Sequence, residues 1–171
     1  EFRRVLFRSR PLHATSAEQV LDTMEQNLTT AFNAIRSAAV PMMRGDGGRI
    51  VLFSSVAASH GMTNHAAIAA AKGAVEGLTR AAAADYAKRG IRVNAIAPAM
   101  TDTPMSESLL KSEASRKMSA SMHPVGRIGE AQEIADVASW LVDGAPEWMT
   151  GQIIGVNGGL GAIKPQESIK A

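Results

Sequence analysis

Cysteine is absent from the 171 residues of this chain, and aromatic residues make up only 4% of it. The absence of cysteine excludes disulfides and thiolate metal sites, and it fits a reducing compartment such as the cytoplasm. Long apolar runs are missing too. The longest uncharged stretch, between Arg49 and Lys72, contains serine, threonine, asparagine, histidine and glycine. This stretch is too polar to span a bilayer, so we expect no membrane segment. We expect no metal site either.

The chain also lacks an excess of positive charge once its first nine residues are set aside. One reverse translation of residues 1–9, GAG TTC AGA CGT GTG CTC TTC CGA TCT, resembles a short-read sequencing adapter. We interpret these residues as an adapter or assembly scar, in preference to a basic amphipathic arm. They hold three arginines and one glutamate, a net charge of +2, which equals the net charge of the whole chain. Residues 10–171 are therefore neutral overall, so neither nucleic acid nor a membrane is an expected partner.

Strand and helix patterns alternate along the rest of the chain. Three apolar runs rich in β-branched residues predict buried parallel strands, near residues 49–54, 91–96 and 152–156. Apolar residues at helical spacing predict helices over residues 17–43, 65–88 and 130–142. Ser16 and Gln19 form a capping box before the first helix, and Gly90 ends the second. This order predicts an α/β fold built on a parallel sheet.

One spacing points to chemistry. Ser55 closes the first strand run, Ile68 follows thirteen residues later, and Lys72 comes four residues after Ile68. Positions four apart share one face of a helix. Serine, a thirteen-residue step and a helical lysine resemble the active site of the short-chain dehydrogenase/reductase family, in which a tyrosine takes the place of Ile68. The only tyrosine here is Tyr86, and the residue four places after it is Gly90.

Further motifs extend the resemblance over nearly the whole chain. They are Asn27-Leu28-Thr29, Ser54-Ser55, Arg92-Val93-Asn94-Ala95-Ile96-Ala97-Pro98-Ala99, Gly126-Arg127-Ile128-Gly129, Thr150-Gly151-Gln152 and Val156-Asn157-Gly158-Gly159. Two of them depart from the family pattern, because Ala99 replaces the usual glycine and Asn157 the usual aspartate.

The resemblance implies the carboxyl-terminal part of a doubly wound, Rossmann-like domain over residues 10–163, with a polar tail at 164–171. No strand–Gly-x-Gly-x-x-Gly–helix unit occurs in the chain. The glycines at 158–161 follow a strand but open no helix, so we interpret them as a turn. The phosphate-binding loop would then lie upstream of Arg10, and the strand near Ile50 would have an unpaired edge.

The resemblance also implies a role for each matched residue. Ser55 would polarise a substrate carbonyl, Asn27 would help to hold a proton-relay water, and Lys72 would lower the pKa of the tyrosine. Cofactor contacts are expected at Lys72, Asn94, Pro98 and Thr103. The cofactor would be NAD or NADP, with no preference readable, and the substrate a small carbonyl or alcohol. The full-length protein would be a cytoplasmic homodimer or homotetramer.

Ile68 removes the proton donor from this arrangement. The loss of general acid–base assistance typically costs about 10²- to 10⁴-fold in rate. His65 lies three residues earlier, near the predicted helix start, and is a candidate surrogate. The interpretation that we favour is that His65 caps the helix or faces solvent.

Each matched residue has a structural alternative as well. These alternatives are a solvated helix lysine for Lys72, a strand-end cap for Ser55, a polar helix position for Asn27, a structural hydrogen bond for Asn94 and a helix cap for Thr103. The family spacing favours site roles for Ser55 and Lys72 and leaves the roles of Asn27 and Thr103 open. Two functions follow: an NAD(P)-dependent oxidoreductase that is inactive as this fragment, or a non-catalytic dinucleotide-binding or dimerisation protein.

Overall fold

The computed structural model describes residues 10–164, so the predicted scar at residues 1–9 and the predicted tail after Lys164 lie outside the described residues. The helices are α1 (Ala17–Met24), α2 (Thr30–Arg44), α3 (Ala66–Tyr86), α4 (Glu113–Ser121) and α5 (Ala131–Asp143). The strands are β1 (Gly48–Phe53), β2 (Ile91–Pro98), β3 (Thr101–Asp102), β4 (Gly129–Glu130) and β5 (Ile153–Val156). Short 3₁₀ turns cover Leu12–Ala14, Val56–Ala58 and Ala87–Arg89.

The main sheet has three parallel strands in the order β1-β2-β5, which confirms the predicted α/β class. The central strand β2 is the most buried, because it is paired on both sides and covered on both faces. Its apolar positions alternate between two core clusters. One cluster contains Val93 and Ala95 with residues of α2 and α3, and the other contains Ile96 with Leu141 of α5. Helices therefore cover both faces of the sheet, as in a doubly wound fold.

The strand predictions are confirmed with small shifts at the ends. The run near 91–96 continues to Pro98, which pairs with Val156 of β5. Proline is tolerated at this last position because only one ladder hydrogen bond is lost there. A second pairing joins β3 to β4 by two residues each. Within residues 101–123, α4 is the only α-helix of the described structure.

The first predicted helix is interrupted, contrary to the expectation of one regular helix over residues 17–43. The capping box is present, with the Gln19 amide N 3.2 Å from Ser16 Oγ. Between α1 and α2, however, residues Glu25–Thr29 form a π-helical turn. Asn27 lies inside this turn and donates through Nδ2 to the carbonyl oxygen of Thr23, 2.9 Å away. Amide side chains that bond to the preceding turn compete with regular helical bonding, and π-turns are common at functional sites.

The long helix α3 packs its small residues against the sheet. Ala71, Val75 and Thr79 are at most 1% exposed, and the spacing of four residues places them on one stripe. Helix α3 continues into the 3₁₀ turn Ala87–Arg89. Gly90 caps this turn in the left-handed conformation, with a φ of 73°, as the helix-ending glycine that the sequence predicted. In the described part of the chain no helix has the length and apolarity that crossing a membrane requires.

Candidate active site

Three of the predicted site residues lie at the edge of the sheet where the parallel strands end, namely Ser55, Lys72 and Pro98. Ser54 and Ser55 follow β1, Pro98 ends β2, and Asn157 follows β5. In doubly wound sheets this edge is where ligands bind. Helix α3 brings Lys72 to the same edge, one helical turn after its first residues.

Lys72 is held against the end of β1. Its Nζ donates to the carbonyl oxygen of Phe53 at 2.8 Å. Burial lowers the pKa of Lys72 below its usual value of 10.5, because the ammonium is partly removed from water. An ammonium has three donors, so two remain for a ligand after the Phe53 contact.

Ser55 makes the strand-end cap that was the structural alternative for this residue. Its Oγ accepts a hydrogen bond from the amide of Ala57 at 3.2 Å, and so caps the 3₁₀ turn Val56–Ala58. A hydroxyl that accepts one bond still has its own proton to donate. The cap orients the side chain and leaves the donor that a substrate carbonyl would require.

Ser54 anchors α3 to β1, a function that the motif match did not identify. Its Oγ donates to Glu76 Oε1 at 2.9 Å and lies 3.4 Å from the carbonyl oxygen of Lys72. Ser54 is buried, so these contacts set the position of the helix backbone that carries Lys72. A glutamate one turn after the lysine was the available sequence signal.

Ile68 and His65 occupy the start of α3. Ile68 is half-buried on the first turn, one turn before Lys72. His65 is at the N-cap position but makes no capping hydrogen bond through its side chain. Its Nδ1 lies 2.6 Å from the carbonyl oxygen of Thr63, in the loop before the helix. Because a carbonyl only accepts, Nδ1 carries the proton and the loop orients the ring.

Asn94, an expected cofactor contact, is turned into the protein. It is 3% exposed, and its Nδ2 donates to the carbonyl oxygen of Met149 at 3.1 Å. Its Oδ1 accepts from the amide of Gln152 at 3.0 Å. Both ends of the side chain therefore join β2 to the approach of β5, which favours the structural alternative over a cofactor contact.

Thr103 also makes local contacts. Its Oγ1 lies 3.4 Å from the amide of Ser106, and its own amide donates to Ser106 Oγ at 3.0 Å. These bonds close a tight turn after β3, and no helix of the described structure begins there. Pro98 remains at the strand edge, where it is half-buried.

The lowered pKa of Lys72 predicts a pH-dependent stability. The unfolded chain holds the proton of Lys72 more tightly than the folded chain, so stability rises with pH between the folded-state pKa and 10.5. Lys72→Met removes this dependence. Urea unfolding from about pH 8 to about pH 10 should show the parent gaining stability relative to the variant. Lys88→Met, at an exposed lysine just after α3, is the matched control. A parent-minus-variant difference that is flat over this range would contradict the burial of the ammonium.

Comparisons with known proteins identify the family and support the fold. The family model described as enoyl-(acyl carrier protein) reductase matches residues 5–161. The match begins within residues 1–9, where the scar assignment stays a prediction. A 2,5-dichloro-2,5-cyclohexadiene-1,4-diol dehydrogenase from Sphingobium indicum is 40% identical over 155 residues, which are 90% of this chain and 62% of the relative. An inactive 2-(S)-hydroxypropyl-CoM dehydrogenase 2 from Xanthobacter autotrophicus is 38% identical, over 89% of this chain and 68% of the relative.

Solved structures of similar proteins have the same fold. A gluconate 5-dehydrogenase from Burkholderia cenocepacia, in complex with NADP and tartrate, superposes with a TM-score of 0.85 at 32% identity, over 92% of this chain and 62% of that one. A tyrosine-to-phenylalanine variant of ElxO with NADPH bound gives a TM-score of 0.84 at 26% identity, over 90% of this chain and 62% of that one. The chain thus spans less than two thirds of most of these proteins. With its family match, its relatives and its fold, the chain belongs to the short-chain dehydrogenase/reductase family.

Proposed function

We propose that this chain is the carboxyl-terminal portion of a cytoplasmic NAD(P)-dependent oxidoreductase that acts on a small carbonyl or alcohol, with Ile68 in place of the acid–base tyrosine. The observation that carries the proposal is the arrangement of Lys72 and Ser55. Lys72 Nζ is fixed 2.8 Å from the last carbonyl of β1, and Ser55 begins the loop two residues later. A cation and a hydroxyl donor therefore meet at the ligand-binding edge of the sheet.

The residues present fit a nicotinamide cofactor at this edge. Lys72 has two donors left for the ribose hydroxyls, and Pro98 ends β2 at the same edge of the sheet. The nicotinamide, when bound, supplies or accepts a hydride at carbon. The protein must then stabilise the charge on the substrate oxygen, and the Ser55 hydroxyl is placed to donate to it. Ser54 and Glu76 act through position, because they hold the segment of α3 that carries Lys72.

A second candidate function is binding without catalysis. Ile68 has no proton to exchange, and the Nδ1 proton of His65 is held by Thr63. One relative is named as inactive. The ElxO variant keeps NADPH although a tyrosine hydroxyl has been removed. The inactive relative supports a lack of catalysis, and the ElxO variant supports cofactor binding without the tyrosine hydroxyl.

Assembly is the other non-catalytic role. The first helices expose large apolar side chains, at Leu21 (68%), Phe32 (48%) and Val40 (46%). Exposed alanines of α3, Ala81 and Ala84, allow a second helix to approach closely. We propose that these helices form a homodimer or homotetramer contact, which sedimentation velocity would test directly. A single monomeric species at tens of micromolar protein would contradict it.

The test of the cofactor site is a fluorescence titration with NADH and NADPH. It uses the protein extended upstream by a strand–glycine-rich loop–helix segment of the family. We expect saturable binding of one of the two cofactors and a loss of about tenfold or more in affinity for Lys72→Met, because charge-assisted hydrogen bonds are lost. Lys88→Met should bind like the parent. Absence of binding of both cofactors would overturn the oxidoreductase proposal and favour assembly.

A further inference from the structure

A buried histidine lacks one of its hydrogen-bond partners. Among the described residues, His123 Nε2 is the buried side-chain polar atom with no partner, and the residue is 4% exposed. Its Nδ1 lies 2.7 Å from the carbonyl oxygen of Ser119 in α4. Since a carbonyl only accepts, Nδ1 carries the proton and Nε2 is left as an unpaired nitrogen. Unpaired buried polar atoms are rare in folded proteins and call for a ligand or a water.

His123 forms part of the wall of an open groove of about 650 Å³. The other walls are His60 and Lys164 together with apolar residues, among them Met122 and Leu160. The same imidazole borders a smaller cavity of about 130 Å³ at the ends of β2 and β5. The His123 side chain thus borders space that a small molecule can enter.

The groove is lined by one cation, Lys164, and by no anion. Its lining contains two histidines and a lysine but no aspartate or glutamate. In the described part of the chain no ion pair involves His60, His123 or Lys164. Arg127, beside the smaller cavity, is already neutralised by Glu133 at 2.6 Å, and this pair lowers the pKa of Glu133 to about 2. The groove therefore favours an anion over a cation or a neutral ligand.

The groove adjoins the candidate active site through the loop that begins at Ser55. His60 ends that loop's first turn, with its amide donating to the carbonyl oxygen of Val56 at 2.9 Å. On its other side His60 packs against Gly161, where an added Cβ would lie 3.0 Å from the histidine Cβ. A ligand in the groove would therefore extend toward Ser55 along this loop.

We propose that the groove binds the carboxylate of an acidic small molecule, through His123, His60 and Lys164. A carboxylate that binds together with one proton taken up from solvent would receive an N–H···O bond from Nε2 of His123, and Lys164 supplies a second charged contact. The identification of this ligand as the substrate rests on the proposed oxidoreductase function. The binding itself does not, because it needs neither cofactor nor turnover.

The experiment is a calorimetric titration of the chain, at low ionic strength, with tartrate and with threitol. The two probes share four carbons and two central hydroxyls, and only tartrate has carboxylates. We expect tartrate to bind at least about tenfold more tightly than threitol, and His123→Phe to lose about tenfold of that affinity. His60→Gln should lose about threefold. His13→Phe, at an exposed histidine away from the groove, should bind like the parent.

Three outcomes would overturn the proposal. Equal binding of tartrate and threitol would show that charge is not recognised. Inorganic phosphate that binds as tightly as tartrate, with the same dependence on His123, would replace carboxylate by a general anion. Unchanged tartrate affinity in His60→Gln would also overturn the proposal. Because His60 is exposed, this variant decides the outcome if circular dichroism shows that His123→Phe is unfolded. Failure of the oxidoreductase function would be seen separately, in the NADH and NADPH titrations.

Discussion

Replacing Ile68 by tyrosine should raise carbonyl reduction by about 10²- to 10⁴-fold, the range that general acid–base assistance typically supplies. Ile68 is half-buried on the first turn of α3, and Lys72 lies one turn later on the same helix. A phenol there would stand beside a cation whose Nζ is already fixed at Phe53. The ammonium would stabilise the phenolate and make the new tyrosine a usable acid near neutral pH.

Ile68→Phe is the matched control, because it adds the same ring without the hydroxyl. Both variants are made in the protein extended upstream and assayed with NADH and NADPH on a panel of small carbonyls. If only Ile68→Tyr gains activity, the site is an oxidoreductase site that lacks its proton donor. If neither gains activity while cofactor still binds, the non-catalytic binding function is favoured.

The parent protein supplies a third comparison. Activity comparable to that of Ile68→Tyr would mean that another group already delivers the proton. His65 is the candidate, and its contact with Thr63 fixes the ring orientation. His65→Ala would then abolish the parent activity and leave that of Ile68→Tyr largely intact. Equal loss in both backgrounds would instead assign His65 to the structure of the loop.

The sheet was predictable because burial imposes a simple pattern on its strands. Strand β2 is covered on both faces, so its residues are almost all apolar, and the parallel order follows from the helices between strands. The end of α3 was predictable for a similar reason. Gly90 adopts a positive φ that few other residues accept, and such a position marks a helix end in the sequence itself.

The features that sequence did not predict depend on contacts between distant residues. The π-turn at Glu25–Thr29 has no signature in a regular apolar repeat. The bond from Ser54 to Glu76 links a strand end to a helix 22 positions away. The unpaired Nε2 of His123 results from how α4 meets the glycine turn after β5, where Gly158 would meet the His123 side chain at 3.4 Å if it carried a Cβ. None of these can be read from spacing alone.

The candidate site shows the same division. The spacing of Ser55 and Lys72 placed both at one edge of the sheet, since Ser55 lies in the loop after β1 and Lys72 on the second turn of α3. Spacing could not show which way a polar side chain turns. Asn94 and Thr103 belong to the family motifs, yet both make hydrogen bonds within the protein. The motifs therefore named candidate residues, and three-dimensional contacts were needed to show which of them are already bonded within the protein.

Asn94→Leu should destabilise the fold by roughly 2–4 kcal/mol, because it removes two hydrogen bonds and leaves the carbonyl of Met149 and the amide of Gln152 without their partner. Leucine has a similar size, so a cavity contributes little. Asn33→Leu, at an exposed position of α2, is the matched control and should change stability by no more than about 0.5 kcal/mol. Urea unfolding monitored by circular dichroism measures both variants.

The same pair of variants decides whether Asn94 acts in structure or in binding. A structural role predicts a large loss of stability and, in protein that remains folded at low urea, an unchanged affinity for NADH or NADPH. A direct cofactor contact predicts the opposite, with stability close to that of Asn33→Leu and a clear loss of affinity. The two roles are separable because the side chain has only one amide, and both of its ends already join β2 to the approach of β5. The side chain is only 3% exposed, so its second Nδ2 hydrogen and second Oδ1 lone pair are shielded from a ligand, and the structure predicts that stability, and not affinity, responds to the substitution.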